Sequence, residues 1–103
     1  MQQLGLVEGR HPMPVRGYLL PKVTPPAMGY DMAQKAMVKR LEDYPDETDF
    51  HVYLTGLTCA TMGMIAAFIN ANPKGRTLHI WEWHPDIRDY LETTMIADGQ
   101  FLQ

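Results

Sequence analysis

The stretch FHVYLTGLT at residues 50–58 decides the fold prediction. Residues 50–54 are aromatic, aliphatic or β-branched and almost free of charge, which is typical of a central strand of a parallel sheet, buried on both faces. Residues 55–58 supply a glycine-containing turn directly after this strand. Small and apolar residues then recur at helical spacing up to residue 71. The stretch therefore predicts a strand, a tight turn and a helix in immediate succession.

Upstream of this stretch, the spacing predicts one helix and one strand. Residues 15–20 are strand-like, and Pro21 closes the strand. Residues 1–14 show little periodicity, so we expect them to form an irregular N-terminal arm. The helix is predicted by an apolar and aromatic stripe with steps of 3, 4, 4 and 3, which Pro45 terminates, and the stripe consists of Tyr30, Ala33, Met37, Leu41 and Tyr44.

Downstream, residues 77–83 predict a third strand. Residues 86–96 fit either a helix or a strand that returns along the third strand as a hairpin, and the turn residues Pro85 and Asp86 favour the hairpin. The element order is then β-α-β-α-β with a C-terminal hairpin or helix. We expect one α/β domain over residues 1–103, built on a small Rossmann-like, mainly parallel sheet.

Length and composition restrict the class of protein. A chain of 103 residues has room for one core, and its net charge of -3 argues against binding to duplex nucleic acid, although a small anionic ligand remains possible. The single Cys59 cannot form an internal disulfide, so we expect a cytoplasmic protein. Residues 1–5 lack the features of a secretory signal, and no apolar run predicts a membrane span. The eight methionines are expected mainly in the core, with a minority at an oligomer interface.

The turn formed by Thr55, Gly56, Leu57 and Thr58 is the predicted ligand-binding loop. Ligands of parallel sheets bind beyond the carboxyl ends of strands, where loops lead into helices. Gly56 allows close approach of the backbone, and the free N–H groups at the start of the helix favour phosphate or carboxylate. An alternative remains open, in which Thr58 only caps the helix and Gly56 only forms a turn. The loop has neither the three glycines of a dinucleotide fingerprint nor the lysine of a P-loop.

Residues 52–58, the small-residue helix after them and the strand at 78–84 resemble the small CRISPR-associated Rossmann-fold (CARF-like) proteins, which include the stand-alone ring nucleases. The resemblance implies a homodimer that places two such loops around a cyclic oligonucleotide. It also implies metal-independent attack of a ribose 2′-hydroxyl on the phosphate. By position, Thr55 and Thr58 would contact phosphate or ribose, and the backbones of Gly56 and Leu57 would face the ligand.

The loop departs from this expectation because it contains no cation, and the charge that develops on a scissile phosphate is usually met by one. Arg16, Lys22 and Arg76 are the candidates to reach the loop from elsewhere in the chain. We include Arg16 among the predicted ligand-binding residues. No catalytic residue is assigned.

A second group of residues, His79, Glu82, His84 and Asp86, consists of types that bind divalent metals. Alternation along a strand directs His79 away from Glu82 and His84, so they are interpreted as polar groups at a strand edge. We therefore predict neither a metal site nor a cofactor.

Cys59 and the two tryptophans also have alternative interpretations. The first turn of a helix can activate a thiol, but a partly buried core residue is the favoured interpretation of Cys59. Trp81 and Trp83 share a strand face and are suited to stacking on a base, to a dimer contact or to covering the core.

Together these patterns predict a cytoplasmic homodimer that binds a signalling nucleotide at residues 55–58, with cleavage left open. The resemblance to CARF-like proteins implies that this nucleotide is cyclic and that the protein acts in antiviral defence. The alternative hypothesis is a non-enzymatic interaction protein, in which methionine- and tryptophan-bearing surfaces form an oligomer or dock on a host or viral protein.

Overall fold

The computed structural model describes residues 2–8, 15–21, 25–55, 57–71 and 74–102. Within these ranges the chain forms six strands and two α-helices, the first helix being preceded by a single 3-10 turn. In chain order they are β1 (Gln2–Val7), β2 (Gly17–Leu20), the 3-10 turn (Pro26–Met28), α1 (Gly29–Asp43), β3 (Asp49–Tyr53), α2 (Thr58–Asn70), β4 (Thr77–His84), β5 (Asp89–Ala97) and β6 (Gln100–Phe101).

The six strands form one mixed sheet in the order β2-β1-β3-β4-β5-β6. β1 pairs in parallel with both β2 and β3, and β3 pairs in parallel with β4. β5 and β6 are both added antiparallel, which makes the C-terminal half of the sheet antiparallel. The prediction of a Rossmann-like, mainly parallel β-α-β-α-β fold is therefore wrong. The chain is a small α+β domain, because after β4 it turns back through short hairpins instead of crossing over through a further helix.

The N-terminal segment also differs from its prediction. Residues 1–14 were expected to be an irregular arm, but Gln2–Val7 is an interior strand between β2 and β3. The side chains of Leu4, Leu6 and Val7 are almost fully buried. The misprediction has a physical reason, since this strand is specified by parallel partners distant in sequence and by burial on both faces, so alternation gives little signal. Residue 1 and residues 9–14 of the expected arm lie outside the described residues.

The C-terminal hairpin confirms the favoured interpretation of residues 86–96. β4 and β5 pair along their full length around the turn at residues 85–88. β5 and β6 are joined by Asp98 and Gly99, both with positive φ, as in the type I′ turn of a two-residue hairpin. The β4–β5 ladder contains a bulge, because Ile80 pairs with Thr94 whereas Trp81 pairs with Glu92, which leaves Thr93 as the extra residue.

Both helices pack against one face of the sheet and against each other. The prediction of two helices is confirmed, with α1 burying Ala33, Met37 and Leu41 of the expected stripe, whereas Tyr30 and Tyr44 of that stripe are exposed. Phe50 and Val52 of β3 point into this core. The shared core also takes its side chains from β1, β4, β5 and α2, including Leu4, Leu6, Leu78, Ile80, Ile96, Ala60, Met64, Ala67 and Phe68.

The opposite face of the sheet, here called the open face, is covered by no helix within the described part of the chain. It carries side chains that alternate with the core residues on β3, β4 and β5. An aromatic group occupies its centre, where Tyr53 stacks on Trp81 with ring centroids 5.3 Å apart and meets the edge of Tyr90 at 5.1 Å. β3 is therefore apolar on one face and polar or aromatic on the other, which corrects the expectation of uniform apolar burial.

Candidate functional site

The first candidate site lies at the carboxyl end of β3, where the chain passes into α2. A depression of about 460 Å³ opens there. We call it the terminal pocket, and its lining residues are Leu54, Thr55, Thr58, Thr61, Glu82, Trp83 and Pro85. The pocket lies where parallel strands present loops and helix N-termini to ligands. The structure thus brings Thr55 and Thr58 of the predicted loop together with residues of β4 that the sequence did not assign to it.

Thr55 has an unusual environment within the pocket. Its hydroxyl oxygen is buried and has no hydrogen-bond partner among the described residues. A buried polar atom without a partner costs about 1–3 kcal/mol. Such a cost is compensated when a ligand supplies the missing hydrogen bond. Gly56, the next residue of the predicted loop, lies outside the described residues.

The start of α2 is also open to a ligand. α2 begins at Thr58, so this residue occupies the first helical position, and Leu57 at the N-cap makes no side-chain capping bond. The alternative role of Thr58 as the N-cap is therefore wrong. Thr61 turns its hydroxyl back to the carbonyl oxygen of Leu57, 3.4 Å away. Backbone N–H groups in the first turn of a helix have no intrahelical acceptor, so they remain suited to an anion.

The β4 side of the pocket supplies an aromatic ring and a carboxylate. Trp83 packs edge-to-face on Tyr90 with ring centroids 5.3 Å apart, which fixes the orientation of the indole. Glu82 is the only ionisable residue in the described lining. The pocket consequently combines hydroxyl groups, an aromatic face and one negative charge. This lining disfavours ligands that place several negative charges close together, as a triphosphate does.

The cations proposed to approach the loop lie elsewhere. Arg16 lies at the opposite end of the sheet, where it lines a separate shallow depression with Arg40, and its backbone N–H donates to the carbonyl oxygen of Gln3. The structure does not bring Arg16 to Thr55 within one chain. Lys22 lies outside the described residues.

Arg76 has a structural role at the carboxyl end of α1. Its guanidinium donates to the carbonyl oxygens of Glu47 at 2.8 Å, Leu41 at 3.0 Å and Tyr44. It also lies over the ring of Phe50 at 5.1 Å. These bonds occupy the guanidinium, so it is not available to a ligand in the terminal pocket.

The second candidate site is a group of polar residues on the open face that we call the histidine cluster, formed by Asp49, His51, His79 and Glu92. His51 and His79 are register partners on the parallel strands β3 and β4, and their rings stack at 4.1 Å and 4°. Nδ1 of His79 lies 2.5 Å from Oε1 of Glu92, and Nε2 lies 2.9 Å from Oδ1 of Asp49. The indole of Trp81 donates to Nδ1 of His51 at 2.9 Å.

The pKa values of Asp49 and His51 in the cluster are shifted for different reasons. The hydrogen bond from His79 lowers the pKa of Asp49 below its usual range. Burial, followed by the proximity of His79, lowers the pKa of His51. Because Trp81 donates to Nδ1 of His51, that nitrogen carries a lone pair and the ring is neutral. His51 is therefore a neutral imidazole beside a histidine held between two carboxylates.

The histidine cluster was not predicted from the sequence. His79 was grouped with Glu82, His84 and Asp86, whereas in the structure it converges with residues on two neighbouring strands. The prediction that His79 points away from Glu82 agrees with the pairing of the strands. The sequence does contain a signal for the contact between the two histidines, since His51 and His79 occupy the same relative position in β3 and β4. Glu92 could not be found by alternation because the bulge at Thr93 intervenes.

Cys59 lies in the first turn of α2 and is partly buried. A Cβ added to Gly29 of α1 would lie 2.8 Å from its sulfur, so the thiol packs in the helix interface. This placement agrees with the core interpretation of Cys59.

Comparisons with protein families, curated proteins and solved structures find no match. The resemblance to CARF-like proteins consequently remains a prediction. In the described part of the chain, neither helix has the length and apolar character needed to cross a membrane.

Proposed function

We propose that this chain binds a small nucleotide in the terminal pocket. The observation that carries the proposal is the hydroxyl of Thr55, which is buried in the wall of the pocket without a hydrogen-bond partner among the described residues. Buried polar groups in proteins are nearly always paired, so we infer that a ligand atom supplies the missing partner of this hydroxyl.

The lining of the pocket matches the parts of a nucleotide. The indole of Trp83 offers a surface on which a base stacks, and base–aromatic stacking contributes about 1–3 kcal/mol. The carboxylate of Glu82 accepts hydrogen bonds from an exocyclic amine or from ribose hydroxyls. The N–H groups of the first turn of α2 and the hydroxyl of Thr58 suit a phosphate. Each part of the ligand thus has a complementary group.

The charge of the pocket restricts the class of nucleotide. No Lys, Arg or His belongs to the described lining, and Glu82 contributes a negative charge. A triphosphate would place several charges beside Glu82 without a counter-charge. A phosphodiester carries one charge per phosphate, so cyclic nucleotides and short cyclic oligonucleotides fit better. The proposal concerns binding alone, because the described lining lacks a cation to stabilise a cleavage transition state.

The proposal includes a homodimer that brings two terminal pockets together. Large apolar side chains are exposed around the pocket, with Met62 on α2, Ile87 in the β4–β5 turn and Leu91 on β5 as the register partner of Glu82. Exposed apolar groups around a binding site are suited to contact with a second copy of the chain. A ligand with twofold symmetry would then contact both pockets.

The test is isothermal titration calorimetry against linear mononucleotides, cyclic mononucleotides and cyclic oligonucleotides. We expect one class of cyclic phosphodiester to bind, and we expect Thr55→Val to weaken its affinity about ten- to a hundredfold, because a hydrogen bond to a charged phosphate or buried ligand atom is lost. Ser or Ala in place of the exposed Asn70, at the far end of α2, provides controls that should bind normally. Failure of every nucleotide to bind would reject the proposal.

A second candidate function, non-enzymatic self-association through an exposed sheet edge, is favoured by the far edge of the sheet. Phe101 of the short edge strand β6 and Leu102, which follows it, are 57% and 55% exposed. An exposed edge with apolar side chains is a surface on which another chain can pair. If the nucleotide panel gives no binding while Phe101→Asp abolishes self-association in sedimentation, this function becomes the better assignment.

A further inference from the structure

The geometry points to a divalent transition-metal site on the open face, with His51, His79 and Glu92 as ligands. These residues belong to three adjacent strands, β3, β4 and β5, and each offers one ligand atom within 4.8 Å of the others. Two atoms bound to one zinc ion lie at most about 4 Å apart, since each bond is about 2.0–2.2 Å. The three side chains must therefore move closer to surround one ion, and His51 must move most, because its ring is stacked on His79.

His79 already has the arrangement typical of a metal-binding histidine. Its Nε2 is held by Oδ1 of Asp49 at 2.9 Å, while Nδ1 faces Oε1 of Glu92 at 2.5 Å. A carboxylate on the distal nitrogen orients the ring and increases its basicity as a ligand. A metal ion would replace the proton between His79 and Glu92 and would bind both groups. Asp49 would then remain the orienting partner outside the coordination sphere.

His51 supplies the third ligand after a side-chain rotation. In the stack with His79 the two rings are parallel, so their lone pairs cannot converge on one ion. Nδ1 of His51 is unprotonated because it accepts from Trp81. To ligate through this nitrogen, His51 must leave the stack and give up the bond to Trp81. The indole is half-buried beside it and should report this movement.

The donor set indicates which metals are preferred. Two imidazoles and one carboxylate favour Zn²⁺, Co²⁺ or Ni²⁺ over Mg²⁺ and Ca²⁺, which prefer oxygen ligands. Three protein ligands leave at least one position for water or another ligand, as in catalytic zinc sites. The cluster lies apart from the terminal pocket, so this inference stands independently of the proposed function.

The test uses the untagged chain, stripped of metal with a chelator and titrated with ZnCl₂ by calorimetry. Co²⁺ absorption follows the coordination geometry, and Trp fluorescence follows the environment of Trp81. We expect one ion per chain and an affinity for Zn²⁺ at least about a hundredfold above that for Mg²⁺. Trp81→Phe should remove the fluorescence change while leaving zinc bound.

Variants assign the ion to the cluster. We expect Glu92→Gln and His51→Asn each to weaken zinc binding at least about tenfold, and Asp49→Asn to weaken it about tenfold through loss of the orienting bond. Glu42→Gln, which removes an equivalent charge from the exposed face of α1, should bind as the parent does. Glu92→Gln keeps a hydrogen-bond acceptor on an exposed position, so folding should be retained and can be checked by circular dichroism.

Two results would overturn the inference. One is zinc affinity no higher than magnesium affinity in the parent chain, which would leave the cluster as an ion-paired structural group. The other is undiminished zinc affinity in folded Glu92→Gln and His51→Asn, which would place the ion on other residues such as Cys59 or His84.

Discussion

Gly63 of α2 lies directly against the backbone of Tyr30 in α1. A Cβ added to Gly63 would lie 2.9 Å from the carbonyl carbon of Tyr30 and would overlap its carbonyl oxygen. Real Cβ atoms do not approach backbone atoms so closely, and backbone cannot move aside as a flexible side chain does. The absence of a side chain at residue 63 therefore sets the distance between the two helices.

Gly63→Ala should destabilise the fold strongly. Alanine is the better helix former by about 1 kcal/mol, so propensity alone predicts a gain. We expect instead a loss of about 2–3 kcal/mol, because overpacking forces the helices apart. Urea denaturation measures the free energy of unfolding, with Asn70→Ala on the exposed end of α2 as the control. An unchanged or increased stability would show that the helices do not touch at this position.

Gly75→Ala tests a different property of glycine. Gly75 has φ of +73°, and a Cβ there would meet nothing within 4 Å. The expected loss of about 1 kcal/mol comes only from the left-handed backbone conformation. Gly75→Asn should cost less, since asparagine tolerates this conformation better than alanine does. Thermal denaturation of the two variants checks the order, and equal stabilities would contradict the backbone explanation.

Arg76→Lys should destabilise the carboxyl end of α1. Arg76 contacts three carbonyl oxygens through a planar guanidinium, and an ammonium group cannot reproduce this geometry. Charge is conserved in the variant, so the loss reports lost hydrogen bonds, for which we expect about 1–3 kcal/mol. The matched control is Lys74→Arg, an exposed change of the opposite sense. Hydrogen exchange should localise the weakening to the last turn of α1.

Thr55→Val should leave the free protein as stable as the parent, or more stable by about 1 kcal/mol. The variant removes a buried hydroxyl that has no partner among the described residues, and with it the cost of keeping that group dry. Differential scanning calorimetry without ligand measures the effect. A clear loss of stability would mean that the hydroxyl already has a structural partner, and the terminal pocket would lose its main support as a ligand site.

The chain should sediment as a dimer, at twice its mass of 11.8 kDa. Ile87 is 51% exposed in the β4–β5 turn beside the terminal pocket. We expect Ile87→Glu to shift the equilibrium toward monomer, because a charge at an apolar contact is costly to bury. Val38→Glu, on the exposed face of α1 away from the pocket, is the control. A monomer at micromolar concentration would remove the symmetric two-pocket site.

Local sequence patterns were sufficient for the elements that carry their own signal. α1, the succession of β3 and α2, and the hairpin after β4 all depend on residues close in sequence, and each was predicted. β1 was missed because it depends on β2 and β3. The turn at Asp98 and Gly99 was missed although an Asp-Gly pair is a strong hairpin signal.

The two candidate sites differed in how far the sequence predicted them, because only part of the terminal pocket is formed by consecutive residues. Thr55 and Thr58 could be placed next to each other from the sequence because β3 and α2 are consecutive, whereas Trp83 joins them in the terminal pocket only through the pairing of β3 with β4. Arg16 was proposed to reach the loop without knowledge of the strand pairing, and the pairing places it at the opposite end of the sheet within one chain. The histidine cluster requires the register of three strands, which no local pattern contains.

The bulge at Thr93 shifts the side-chain alternation of β5 by one residue. This shift decides on which face of the sheet Glu92 and Tyr90 lie. On the far side of the bulge, Ile96 points into the core, and a regular two-residue repeat from there would turn Glu92 and Tyr90 toward the helices as well. Glu92 would then lie opposite Glu82 and two like charges would share one face. Because of the extra residue, Glu92 and Tyr90 lie on the open face instead. There the carboxylate of Glu92 contacts His79, and the ring of Tyr90 contacts Trp83.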